Sequence, residues 1–121
     1  MHTIGPVREP TLERRRQLWR DATQEIDRNY ADPLTVAGVA RAIGTSSRQL
    51  QRVFEEVGGR SFRTHLAAVR MDRAREMLLE ENATVRTIAG RVGYSQPAQF
   101  AKAFRRHHGV SPSELRRDGA A

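Results

Sequence analysis

One helical pattern occurs twice in this chain. Val36, Val39, Ala40, Ile43 and Gly44 recur as Val85, Ile88, Ala89, Val92 and Gly93, each 49 positions on. Leu50, Phe54 and Gly59 recur as Phe100, Phe104 and Gly109, each 50 positions on. The second copy therefore carries one extra residue in its turn. Each copy has a short apolar stripe at helical spacing, a glycine-containing break and a second stripe, the layout of a helix-turn-helix. The small Ala40 and Ala89 let the paired helices approach closely. A length of 121 residues suits one domain, or two very small ones sharing a core.

The remaining segments also read as helix, because Ala, Leu, Arg, Glu and Gln dominate and alternating β-branched runs are missing. A first helix is predicted from Thr11 to about Asn29, with Leu12, Leu18, Trp19, Ala22 and Ile26 on one face and Tyr30 closing it. Asp32-Pro33 breaks the chain. Thr35 caps the second helix, and Ser46 with Gln49 forms a capping box that opens the third, whose stripe is Leu50, Val53, Phe54 and Val57. Gly58-Gly59 ends it. A long fourth helix runs from Ser61 to Leu79, its inner face supplied by Phe62, Leu66, Val69, Ala74, Met77 and Leu78. Thr84 caps the fifth, Gly93-Tyr94-Ser95 makes the turn, and Phe100, Ala103, Phe104 and His107 form the stripe of the sixth. Ser111-Pro112-Ser113-Glu114 opens a short last helix anchored by Leu115. The expected fold is all-α: seven helices forming two helix-turn-helix subdomains joined by a long central helix. Residues 1–10, with Gly5, Pro6 and Pro10, read as a flexible arm or linker stub. Residues 11–60 form the first subdomain, 61–80 the linker helix and 81–118 the second.

Charge points to the partner. The 21 basic residues outnumber the 14 acidic ones, leaving a net charge of +7, and all of the basic residues but Lys102 are arginine. Such an excess fits a polyanion, and arginine offers a planar fork for phosphates and guanine edges. Cysteine is absent, which excludes disulfides, zinc–thiolate sites and cysteine nucleophiles. None of the four histidines falls in an HExxH or His-x₃₋₅-His pattern. No metal, cofactor or enzymatic activity is expected, since no nucleophile–base set is visible. His107 and His108 instead suit the negative end of the sixth helix. No apolar run reaches a membrane span and no secretion signal is present, so no membrane partner and a cytoplasmic setting are expected.

With Leu50 and Phe54 inward, the third helix turns Arg48, Gln51, Arg52 and Glu55 outward; the sixth turns Ala98, Ala101, Lys102 and Arg105 outward. Arginine suits guanine and glutamine suits adenine in the major groove. Base contacts are therefore expected from Arg48, Gln51, Arg52, Gln96, Pro97, Ala98 and Lys102, with the first unit supplying most hydrogen-bond readout. Phosphate contacts are expected from Thr35, Ser46, Ser47, Thr84, Arg86, Ser95, Arg105 and Arg106. Each of the cap hydroxyls also has a plainer role in its own helix. The fourth helix would hold the two readers roughly 34 Å apart, one turn of DNA.

The chain resembles the DNA-binding domain of the AraC/XylS transcription regulators from about Thr11 to Arg117. The residues that carry the resemblance are Asp32-Pro33-Leu34-Thr35, Leu50-Gln51-Arg52-Val53-Phe54 and Arg70-Met71, then Ile88-Ala89, Val92-Gly93-Tyr94-Ser95, Phe100, Phe104 and Gly109-Val110-Ser111-Pro112 with Arg116. It implies a double-stranded DNA partner, monomeric engagement of an asymmetric promoter site and, in many members, activation through RNA polymerase. Base-facing positions of the family fall on Arg48, Gln51, Arg52, Pro97, Ala98 and Lys102. Pro97 and Ala98 depart from the polar residues common there, and Gln99 from a small or aromatic one. Arg70 matches a family arginine expected to pair structurally rather than to touch phosphate. Most members carry a separate sensor or dimerisation domain; this chain reads as a small stand-alone regulator or the C-terminal piece of a longer one. The competing reading is a helical interaction module that binds an acidic partner or RNA polymerase.

Overall fold

The computed structural model describes residues 11–120, and the arm expected at residues 1–10 lies outside the described residues. Side-chain caps start most of the helices. Helix α1 (Leu12–Asn29) begins at Thr11, whose hydroxyl accepts from the Arg14 N–H. In the same way Thr35 caps α2 (Val36–Ile43), Ser46 caps α3 (Ser47–Val53), Ser61 caps α4 (Phe62–Glu80) and Thr84 caps α5 (Val85–Arg91). Each such cap is worth about 1 kcal/mol. Helix α7 (Pro112–Ala120) opens on a closed capping box: Glu114 N–H donates to Ser111 Oγ at 3.1 Å, and Ser111 N–H to Glu114 Oε1 at 2.8 Å.

Two local expectations are corrected. Helix α6 (Pro97–His108) begins at Gln96, not Ser95, and has no side-chain cap; Pro97 in its first turn lacks an N–H that would need one. The Ser46–Gln49 box closes on one side only. Gln49 N–H reaches Ser46 Oγ at 3.1 Å, while Gln49 Oε1 is buried without a partner. A further feature has no counterpart in the apolar pattern: the tail of α3 widens into a π turn at Phe54–Gly58. That turn lays Gly58 against Trp19, so closely that a Cβ there would sit 2.4 Å from the indole Nε1.

The helices close around two apolar clusters. The first joins Ala22 and Ile26 of α1, Val39 and Ala40 of α2, Leu50, Phe54, and Phe62 and Leu66 of α4. The second joins Met71, Ala74 and Leu78 of α4 to Ile88 and Ala89 of α5, Val92, and Phe100 and Phe104 of α6. Helix α4 thus serves both, its first half one cluster and its second half the other. This division corrects the single inner stripe read from the sequence: Ala68 and Met71 are buried as well, while Val69 and Met77 are half-buried flanks. Tyr30 packs against both clusters.

Two arginines tie loops to α4. Arg70 donates to the carbonyl oxygens of Tyr30 and Asp32. Arg116 donates to those of Leu78, Glu81 and Ala83, some of which lie where the helix leaves its last carbonyls unpaired. The phase of α6 also differs from the expectation. His107 faces solvent, and His108 packs against the Phe104 ring at 4.6 Å between centroids. The i+4 neighbour of Phe104 lies under it, and the i+3 neighbour rotates off the apolar face. Among the described residues there is no strand, and no helix is long and apolar enough to cross a membrane.

Candidate nucleic-acid interface

Burial of Leu50, Val53 and Phe54 fixes the rotation of α3 and leaves Arg48, Gln51 and Arg52 exposed. These three side chains line one wall of a groove of about 720 Å³. Arg63 and Arg70 of α4 line the opposite wall, and Leu34, Val36, Phe62 and Leu66 supply its apolar surface. Glu55 is the acidic residue of this lining. Arg52 Nη2 lies 4.0 Å from Glu56 Oε2, one turn on, and Glu56 also lies 3.8 Å from Arg15 Nε. Exposed pairs of this kind contribute up to about 1 kcal/mol and exchange readily for another anion.

The second unit is different in chemistry. Phe100 and Phe104 are fully buried, which turns Gln96, Ala98, Lys102 and Arg105 to solvent; Pro97 and Ala101 are half-buried. Its leading turn exposes Gln96, Ala98 and Gln99, with the cations Lys102 and Arg105 further along the helix. A second groove, about 310 Å³, runs between α4 and α6 and is lined by Arg63, Thr64, Ala67, Met71, Ala103 and Arg106 among others. Arg63 borders both grooves. Sequence reasoning missed Arg63, although Arg63, Ala67 and Arg70 share one face of a helix by spacing alone.

The hydroxyls named for phosphate fall into two groups. Thr35, Ser46 and Thr84 accept from their own helices, at 3.0 to 3.1 Å. Ser95 is exposed and caps no helix, and Ser47 is half-buried in the first turn of α3. Arg86, Arg105 and Arg106 are exposed, and Arg105 Nη1 lies 3.4 Å from Glu114 Oε1. Burial holds the Arg70 pKa below the ordinary arginine value, partly offset by the neighbouring Tyr94. Its two backbone acceptors make it a structural tie between α4 and the loop after α1. The arrangement can present two unlike surfaces to a polyanion: one led by forked arginine donors, one led by glutamine and alanine with Lys102 and Arg105 behind them.

Comparison with known proteins identifies the arrangement. Residues 39–118 match the helix-turn-helix domain family. The fold is similar to that of a transcriptional regulator of the AraC-type DNA-binding domain-containing proteins from Chromobacterium violaceum. The TM-score is 0.83 and identity 27%, over 87% of this chain and 94% of that one. It is also similar to the DNA-binding domain of AdpA, a global transcriptional factor whose structure is in complex with a target DNA. There the TM-score is 0.77 and identity 25%, over 84% of this chain and 90% of that one. In sequence, it is 32% identical over 95 residues to the lactose operon transcription activator of Staphylococcus xylosus, which covers 78% of this chain and 34% of that protein. The chain spans about a third of the length of the curated relatives it matches.

Proposed function

The chain belongs to the AraC-type helix-turn-helix domain family, and from that premise we propose that it is a sequence-specific, double-stranded DNA-binding transcription regulator. In this reading α3 and α6 enter successive major-groove segments of a promoter. Arg48, Gln51 and Arg52 read base edges by hydrogen bonds; Gln96, Pro97, Ala98 and Lys102 read mainly thymine methyls and shape. Ser47, Ser95, Arg86, Arg105 and Arg106 hold phosphates, as do Thr35, Ser46 and Thr84 at the helix starts. The observation that carries the reading is the burial of Leu50 and Phe54, which leaves Arg48, Gln51 and Arg52 exposed together on one helix face.

The units are 11–60 and 81–118, joined by 61–80. The chain acts as a monomer on an asymmetric site, in the cytoplasm, and activates by contact with RNA polymerase. Selection of bound sites from a random DNA pool, at about 150 mM salt, tests the reading. An enriched site in two unequal parts supports it. Binding that prefers no sequence over random DNA replaces it with the interaction-module reading.

A further inference from the structure

At the trailing end of α6, beyond Lys102, three side chains with metal-ligand chemistry converge. Asp72 of α4 places Oδ1 3.1 Å from His107 Nε2 and 3.6 Å from His108 Nε2. All three donor atoms lie within 4.8 Å of one another. We propose that Asp72, His107 and His108 form a binding site for a divalent transition-metal ion of the zinc class.

The geometry argues for it first. A tetrahedral ion with ligand bonds near 2.0–2.1 Å separates its donors by about 3.3 Å. The two carboxylate–imidazole separations already bracket that value, so only the two imidazoles must draw together. The donor set argues next. Two imidazole nitrogens and one carboxylate suit zinc, nickel, copper or cobalt, whereas magnesium and calcium take oxygen ligands. Asp72 and His107 are exposed and leave room for solvent at the remaining position. Position in the fold argues third. The two histidines occupy the last turn of α6, where unpaired carbonyls favour a cation. Arg105 and Arg106 stand in the same turn and oppose it, so the ion must be held by coordination rather than by the local field.

Binding requires a change of tautomer at both histidines. His108 Nε2 lies 3.0 Å from the Met71 carbonyl oxygen and His107 Nε2 faces the carboxylate, so both nitrogens carry hydrogen in the metal-free arrangement. For either Nε2 to coordinate, its hydrogen must move to Nδ1 of the same ring, and the contacts with the Met71 carbonyl and the carboxylate give way to the ion. The Met71 carbonyl keeps its place in the α4 hydrogen-bond ladder. The coordinated ion would fasten the end of α6 to the middle of α4, two elements otherwise joined by apolar packing and these weak polar contacts.

The test uses the full chain and Zn²⁺ alone, without DNA, in a buffer that does not chelate. Calorimetric titration should give one equivalent bound, and added Zn²⁺ should raise the melting temperature. Co²⁺ in the same position should show the visible absorption of a four- or five-coordinate ion. Asp72→Asn and His107→Ala, both at exposed positions, should each lower the affinity by at least roughly tenfold, the loss that removing even an outer-shell partner causes. Far-UV circular dichroism verifies their folding, and His108→Gln repeats the measurement at the half-buried ligand. Absence of Zn²⁺ binding, or binding that Asp72→Asn and His107→Ala leave unchanged, overturns the proposal.

Discussion

Arg70 on α4 donates from Nε to the carbonyl oxygen of Tyr30, 2.7 Å away. The same guanidinium reaches the Asp32 carbonyl at 2.8 Å and lies 6.0 Å from the centroid of the Tyr94 ring. One side chain thus joins the loop after α1 to the turn of the second unit, across the helix common to both. Arg70→Ala should destabilise the chain by roughly 1–3 kcal/mol, because it takes the donor from the part-buried Tyr30 carbonyl, while the Asp32 carbonyl keeps the Leu34 N–H. Arg70→Lys should recover little, since an ammonium cannot span two acceptors as a planar fork does. Urea unfolding measures both. A full rescue by lysine would show that charge alone matters.

Gly93 sits directly beside that arginine. Its φ is +99°, and a Cβ there would lie 3.0 Å from the Ala31 carbonyl oxygen and 3.2 Å from Arg70 Cζ. At Gly44, the matching position of the first unit, φ is +84° but nothing lies within 4 Å. Gly44→Ala should therefore cost about 1–2 kcal/mol, the left-handed strain alone. Gly93→Ala should cost more, roughly 2–4 kcal/mol, because strain and crowding add. Equal losses in thermal melts would refute the distinction.

Arg52 of α3 and Arg105 of α6 should respond differently to removal. Arg52→Ala should lose roughly 1–3 kcal/mol of DNA affinity and relax preference at one base position. Arg105→Ala should weaken all sequences alike and reduce the salt slope by about one unit. Binding titrations on a selected site and on scrambled DNA, at several salt concentrations, separate the two. Uniform weakening by Arg52→Ala would reassign that side chain to phosphate.

The start of α7 should register acid. The Ser111 backbone N–H, and then its hydroxyl, hold the Glu114 pKa below the ordinary value of 4.5. A carboxylate lowered in the folded state stabilises fully above its unfolded pKa, and that contribution is lost as pH falls through the folded value. Glu114→Gln keeps an acceptor for the Ser111 N–H but cannot titrate. The variant should therefore lose less melting temperature than the parent between about pH 6 and pH 3. Parallel pH profiles would exclude this source of acid sensitivity.

Much of the fold was legible because its punctuation is local. Thr11, Thr35, Ser46, Ser61, Thr84 and Ser111 mark helix starts within a few residues, and the duplicated stripes set which face each short helix buries. The exposure of Arg48, Gln51, Arg52, Ala98 and Lys102 followed from that register. What was not legible depends on contacts between distant segments. The drift of the α4 stripe arises because Leu66 and Met71 answer to different clusters. The π turn meets Trp19, far upstream. His107 and His108 gained their carboxylate neighbour only when α4 brought Asp72 alongside, a pairing 35 residues apart for His107.

The shared ownership of α4 bears on how such a molecule can be recombined. A chimaera that imports only the leading reader from a cousin cannot be spliced at either end of α4, because Phe62 and Leu66 would meet foreign partners, or Met71, Ala74 and Leu78 would. The seam that keeps both clusters whole lies inside the helix, between Arg70 and Met71, so that the donor supplies Arg70 together with the loop it grips.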